Sequence, residues 1–203
     1  MDPVPLIPDS AAVALNRAVF EFPGVPLYVF GGERIGVGRE GPDLRLDSDA
    51  AATSNRISTH HFDIWREGSG FAIADVGSTN GTIVDGSALV AREAHALAAN
   101  ARILIAGVLE LKTRTLQPPA SRPPAGVDAT APALFIEHPD FMVALVPGRF
   151  ALRAIVQNST PDAELYFADG GLWLRGLSDL PSQCRAVADG VETPWRATVR
   201  RYE

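Results

Sequence analysis

The sequence predicts an all-β protein: an antiparallel β-sandwich, then a proline-rich linker, then a small β-rich domain. Three observations carry this expectation. Short runs rich in β-branched and aromatic residues recur at close spacing, turn dipeptides punctuate them, and almost no stretch has an apolar face at helical period. "AVFEF" (18–22) and "LYVF" (27–30) come first. In "HFDIW" (61–65), Phe62 and Ile64 alternate with Asp63 and Trp65, which places Asp63 on the outward face of a half-buried strand. "FAIADV" (71–76) follows, then "TIVDGSALV" (82–90), where Asp85-Gly86 marks a hairpin. "LVAREAHALAA" (89–99) is the one stretch with helical flavour, and it is short. "RILIAGVLELK" (102–112) reads as a single longer strand, bent or bulged at Gly107.

These strands define a domain over 13–116, preceded by a flexible tail at 1–12. That tail, "MDPVPLIPDS…", is acidic and rich in proline. It lacks the basic start and apolar run of a signal peptide, so a cytoplasmic location is expected. Residues 117–133, "QPPASRPPAGVDATAPA", have no period and little to bury; they read as a semi-rigid linker. The domain at 134–203 repeats the strand style in "FMVALV", "FALRAIVQ", "ELYF", "LWLRGL" and "WRATVRRY", with a hairpin turn in "FADGGLW". A unit of about 70 residues is marginal alone. Its role stays open among docking on the first domain, dimerisation and attachment to a larger assembly.

Composition narrows the function classes. The chain has 203 residues, 46% of them hydrophobic and 21% charged, enough for one or two ordinary cores. Its net charge of −6 argues against a general nucleic-acid binder. No apolar run approaches a membrane helix, so no membrane insertion is expected. A lone cysteine, Cys184, excludes an intrachain disulfide and any multi-cysteine metal site. Neither a metal nor a cofactor is called for. Lys112 is the only lysine; the other basic side chains are arginines, which suit oxyanion partners.

"RIGVGREGPD" (34–43) contains a literal G-x-G-x-x-G at Gly36, Gly38 and Gly41. A dinucleotide loop needs a helix directly after its glycines, because the pyrophosphate sits on that helix N-terminus. Here "PDLRLDSDAAATSN" follows and shows no apolar face at helical spacing. The dinucleotide reading fails on that ground.

Three patches in order point elsewhere: Gly38-Arg39, then "RISTHHFDI" (56–64), then "DVGSTNGTIVDG" (75–86). The set closely resembles the forkhead-associated family, a β-sandwich that reads phosphothreonine. The family pattern is Gly-Arg at a strand end, Ser-x-x-His before a strand, and Gly-Ser-x-Asn-Gly-Thr before a hairpin. Gly38-Arg39, Ser58 with His61, and Gly77-Ser78-Thr79-Asn80-Gly81-Thr82 match it in order, and the resemblance covers about residues 15 to 116. It implies a non-enzymatic adaptor that binds a phosphothreonine-containing protein or peptide in a Ser/Thr kinase pathway. It also implies that Arg39, Ser58 and Thr79 hold the phosphate, that Asn80 holds the adjoining peptide backbone, and that Thr59 adds a donor. Gly38, His61, Gly77 and Gly81 would support the loops.

The chemistry suits the assignment. A phosphorylated side chain carries about −1.5 to −2 charges and three acceptor oxygens. Loops gathered at one end of a sandwich can meet it with a planar guanidinium, hydroxyls and free backbone N–H groups. Plainer readings exist for each residue: Arg39 as a solvated arginine, Ser58 as a turn hydroxyl, Thr79-Asn80-Gly81 as a tight turn. Two other functions stay open. One is a degenerate module of the same fold that binds a protein, or its own C-terminal arginines, without phosphate. The contact would be the acidic loop "DSDAAATSN" (47–55). The other is a hydrolase using Ser58, His61 and Asp75. No G-x-S-x-G surrounds Ser58.

Overall fold

The computed structural model describes residues 14–22, 24–46, 55–118, 127–128, 130–151, 163–176, 185–190 and 198–202. The expected N-terminal tail, most of the acidic loop and of the linker, Cys184, Trp195 and Arg196 lie outside the described residues. The fold is all-β, with no helix among the described residues. Its strands are β1 (Arg17–Glu21), β2 (Leu27–Gly31), β3 (Arg34–Gly38), β4 (Leu44–Arg45), β5 (Phe62–Glu67), β6 (Gly70–Asp75), β7 (Thr82–Val84), β8 (Ser87–Ala88) and β9 (His95–Leu97). After them come β10 (Asn100–Ile105), β11 (Leu109–Leu116), β12 (Ala133–His138), β13 (Phe141–Val146), β14 (Arg149–Ala151), β15 (Ala163–Ala168), β16 (Gly171–Gly176), β17 (Arg185–Ala186) and β18 (Thr198–Arg201).

The chain forms two compact units. One comprises residues 33–115 with 136–138; the other comprises 1–32, 116–135 and 139–203. In the first, one sheet runs β4-β3-β5-β6-β9, and β11, β10, β7 and β8 are neighbours in a second. Alternation sends Ile35, Val37, Phe62, Ile64, Phe71 and Ile73 inward from the first sheet, and Ile103, Ile105 and Leu111 inward from the second. Register reinforces this, since Ile35 faces Ile64 and Ile64 faces Ile73 across the strands. Each such side chain contributes about 1.5–3 kcal/mol by leaving water.

Three local expectations differ from what forms. The 102–112 segment is not one bent strand but the hairpin β10–β11, closed by Val108 N–H donating to the Ile105 carbonyl (2.9 Å). Ala106 and Gly107 sit at φ 53° and 68°, the left-handed pair that a tight hairpin turn demands. The helical-looking 89–99 stretch is a turn followed by β9, because Arg92 takes φ 66° and its N–H bonds to the Asp75 carbonyl (2.6 Å). The sheets are also not purely antiparallel: β3–β4 and β2–β13 are parallel pairs. The hairpins at Asp85-Gly86 and Asp169-Gly170 do form, each with both turn residues at positive φ.

The second unit gathers the N-terminal strands with C-terminal ones. β1 pairs with β18, Phe20 opposite Val199, and β2 pairs with β13, Val29 opposite Ala144. β14, β15, β16 and β17 make a four-stranded sheet. Phe20, Leu27, Val29, Phe135, Val146, Leu165, Leu172 and Val199 share one buried cluster. The strands at 18–30, expected within the first sandwich, thus belong with strands beyond the linker, because their hydrogen-bonding partners lie there. A polar group is also buried in this unit. Glu164 accepts from the Tyr166 hydroxyl and from Arg175 Nη2 (3.1 Å).

Candidate functional site

β3 ends at Gly38, where the chain turns through Arg39 and Glu40. The segment 55–61 returns beside it: Arg39 N–H donates to the Ser58 carbonyl (2.9 Å) and Glu40 N–H to the Thr59 carbonyl (3.1 Å). This backbone-on-backbone contact requires glycine at 38. A Cβ there would lie 2.3 Å from the Thr59 oxygen and 2.8 Å from that of Ser58. At Gly36 a Cβ would lie 2.5 Å from Pro42 Cγ. The G-x-G-x-x-G string therefore records close approaches of the backbone, and among the described residues no helix follows it.

The same turn carries Arg39, whose side chain is about one-third exposed (35%). Its Nη2 donates to Thr59 Oγ1 (3.3 Å) and its Nη1 to Glu40 Oε1 (2.8 Å). Ser58 Oγ accepts from the Thr79 N–H (3.0 Å), which ties the 55–61 segment to the 76–81 loop. Because the Ser58 oxygen accepts, its own hydrogen is left to donate elsewhere. Thr79 and Asn80 are exposed. Asn80 Nδ2 donates to the Arg56 carbonyl (2.8 Å), so this amide spends one hydrogen on bracing its own protein. Arg39, Ser58, Thr59 and Thr79 thus lie in one hydrogen-bonded chain at the mouth of β3.

Beneath this rim lie two buried supports. His61 is fully buried; its Nδ1 accepts from the Ser58 N–H (3.0 Å), so Nε2 carries the proton and donates to the Gly81 carbonyl (3.2 Å). Asp75 entered the sequence reading only as the acid of a candidate hydrolase triad, yet it is the anchor of the 76–81 loop. Its Oδ1 accepts from the N–H groups of Gly77 (2.8 Å) and Ser78 (2.7 Å), and its Oδ2 from the hydroxyls of Ser78 (2.6 Å) and Thr82 (2.7 Å). Gly77 and Gly81 turn the loop at φ 100° and 76°. The available signal was the order Asp-x-Gly-Ser, which suits a carboxylate folding back on backbone N–H groups two and three residues on. Asp63 also differs from expectation. It sits on the outward face, but Arg34 and His60 (2.7 Å) cover it, and it is buried. The hydrolase triad is not assembled: both His61 nitrogens and both Asp75 oxygens are committed elsewhere, and neither meets Ser58 Oγ.

The supports carry a pH signature. Burial lowers the His61 imidazole below its ordinary 6.5, with the Gly81 carbonyl and Asp75 opposing only in part. For Asp75 burial pushes the carboxyl up, but hydrogen bonds from Ser78, Thr82 and Gly77 outweigh it and hold the group below its ordinary 3.8. In both cases the unfolded chain takes up the proton first as pH falls. Stability from a neutral His61 is therefore lost below about pH 6.5, and that from an ionised Asp75 below 3.8. The thermal midpoint is expected to be level near pH 7 to 8 and to fall in these two windows. His61→Gln should abolish the first fall, and a midpoint that rises from pH 7 to 5 would contradict the account.

The loops at the end of β3 thus bring one guanidinium and several hydroxyls together on an all-β module. Residues 35–106 match the family model for the FHA domain, wholly inside the 33–115 unit, and this part of the chain is an FHA domain. The chain is similar to the solution structure of the FHA domain of an Arabidopsis thaliana hypothetical protein. Identity is 22%, over 57% of this chain and 99% of that one, with a TM-score of 0.38. It is similar to the FHA domain of the CT664 protein from Chlamydia trachomatis: 23% identity, 44% and 88% coverage, TM-score 0.31. It is similar also to FHA-1 of Rv1747 from Mycobacterium tuberculosis, at 18% identity, 61% and 97% coverage, TM-score 0.31. No curated protein matches the sequence. FHA domains are in general phosphothreonine-binding interaction modules without enzymatic activity, and they bind phosphopeptides of partner proteins.

Proposed function

We propose that this chain is an adaptor that binds a phosphothreonine segment of a partner protein, written by a cytoplasmic Ser/Thr kinase pathway. Arg39 supplies the planar fork, Ser58 an O–H donor, and Thr59 and Thr79 further donors. Asn80 steadies the ligand backbone through its Oδ1 and its second amide hydrogen. The observation that carries the reading is the Ser58–Thr79 bond together with the Arg39–Thr59 contact, which gathers the donors of two loops at one rim. The Arg39–Glu40 pair is no obstacle. It is exposed, and pairs of that kind stabilise by about 0–1 kcal/mol, so a dianionic ester displaces Glu40 readily.

The test is titration of the full chain with one peptide in phosphothreonine, phosphoserine and unphosphorylated forms. Micromolar-range affinity is expected for the first. The phosphoserine form should bind up to about fivefold more weakly, the worth of one buried methyl group. Equal affinity for the unphosphorylated form sinks the reading.

A further inference from the structure

The outer face of the β10–β11 hairpin takes no part in the rim. Alternation turns Ile103, Ile105 and Leu111 inward, so Arg102 on β10 and Lys112 on β11 point outward. A pocket of about 290 Å³ opens on this face, lined by Asp85, Asn100, Arg102, Lys112, Arg114 and Glu137, all within the unit of 33–115 and 136–138. Three cations thus face two carboxylates. The carboxylates flank the hairpin and are engaged: Glu137 on β12 accepts from Arg114 Nη2 (2.6 Å), and Asp85 after β7 accepts from the Arg102 backbone N–H (2.9 Å).

Arg102 and Lys112 differ from these. Both are exposed, and among the described residues the guanidinium of one and the ammonium of the other make no hydrogen bond or ion pair. The register sets them directly opposite each other. Like charges in that position destabilise a sheet. Glu110, the next outward residue on β11, stands opposite Leu104 and does not line the pocket. Leu104 in turn stands opposite Ile83, and both are half-buried. The face therefore sets two unengaged cations beside a small apolar strip. The rim is elsewhere: Ala106, just past β10, donates to the Gly81 carbonyl (3.0 Å), and Arg102 lies three residues back from Ile105, roughly 10 Å along the strand.

We infer that this face docks an acidic segment of a protein partner, with a carboxylate entering between Arg102 and Lys112 and an apolar neighbour covering Leu104 and Ile83. The cations select the carboxylate, and the apolar strip selects a polypeptide as its carrier. A nucleic-acid strand fits less well, because a chain of net charge −6 repels a polyanion and two cations neutralise few phosphates. A carboxylate between the two cations also removes their mutual repulsion, so a pair that weakens the free sheet strengthens the complex. The docking needs no phosphate and does not depend on the phosphopeptide reading.

The experiment follows backbone amide NMR signals of the full chain during titration with a short unphosphorylated peptide of glutamate, leucine and serine. Its glutamine-for-glutamate counterpart and a short DNA duplex are run beside it. The acidic peptide is expected to shift the amides of 100–104 and 110–114 saturably. Glutamine for glutamate should weaken binding about tenfold, as the loss of two exposed ion pairs implies. Arg102→Ala with Lys112→Ala should weaken it as much. Arg200→Ala with Arg201→Ala makes the same change of net charge on β18 and should leave it intact. Lys112→Glu should abolish binding while raising the thermal midpoint by about 2–4 °C, since opposite charges then face each other across the hairpin. No saturable shift, shifts centred elsewhere, an equal response to the glutamine peptide, or a response that survives loss of both cations overturns the inference. So does a response lost in the β18 variant, or a midpoint that falls in Lys112→Glu. Tighter binding of the duplex at the same amides also overturns it, and gives the face to a polyanion.

Discussion

Arg39→Ala is expected to weaken binding of a phosphothreonine peptide by about a hundredfold and to leave the thermal midpoint almost unchanged. The magnitude follows from two charge-assisted hydrogen bonds of about 1.5 kcal/mol each. The lack of a stability effect follows from the partners Arg39 has without ligand. Both are exposed, Glu40 at 2.8 Å and Thr59 at 3.3 Å, and neither anchors a core element. Arg39→Lys separates the fork from the charge. It keeps the cation, loses bidentate geometry, and should recover only part of the affinity. Calorimetric titration of both variants checks this. Full affinity in Arg39→Ala would mean that ligands dock without their phosphate.

Asp75→Ala is expected to lower stability by about 3 kcal/mol, or about 10 °C in thermal midpoint. Four donors lose their acceptor at once, two of them backbone N–H groups in a loop whose start is buried. Water reaches the exposed part of the loop and limits the loss. Asp75 touches no ligand in this scheme, so its effect on binding passes through the loop. Affinity should fall while the preference for phosphorylated over unphosphorylated peptide survives. Asp75→Asn should recover much of both properties, since its Oδ1 still accepts from Gly77 and Ser78, and its amide can donate to the two hydroxyls. Either variant should also lose the acid-induced fall below pH 3.8. Denaturant unfolding across pH, with binding measured in parallel, tests the whole set.

The legible parts of the fold were those that local chemistry dictates. Asp85-Gly86 and Asp169-Gly170 announce their hairpins because both residue types tolerate positive φ. Ala106-Gly107 makes a similar turn without the announcement, since alanine at φ 53° is not what such a turn selects, and so β10 and β11 read as one strand. The 89–99 stretch has helix-forming composition, but the bond from Arg92 to Asp75 fixes a left-handed residue in its middle. At the rim, residue types and their order were readable. What they spend their hydrogen bonds on was not. No pattern announces that Asn80 gives one hydrogen to Arg56, or that Asp63 is roofed by Arg34 and His60. The partners of β1 and β2 were invisible for a different reason, since a strand's sequence encodes which face is apolar but not which distant strand will lie beside it.

That last pairing has a cost in time. The side chains of Glu21 and Arg200 meet although they are 179 positions apart. A ribosome makes residues in order, so 33–115 has all but a fragment of its contacts available long before β13 and β18 exist. Meanwhile the β1–β2 hairpin leaves the exit tunnel with Phe20, Leu27 and Val29 uncovered and both of its edges open. Once residue 115 has been made, the nascent chain therefore carries a nearly complete 33–115 unit behind an unfinished, adhesive ribbon, and cutting away β18 would injure β1 rather than the strands nearest to it in sequence.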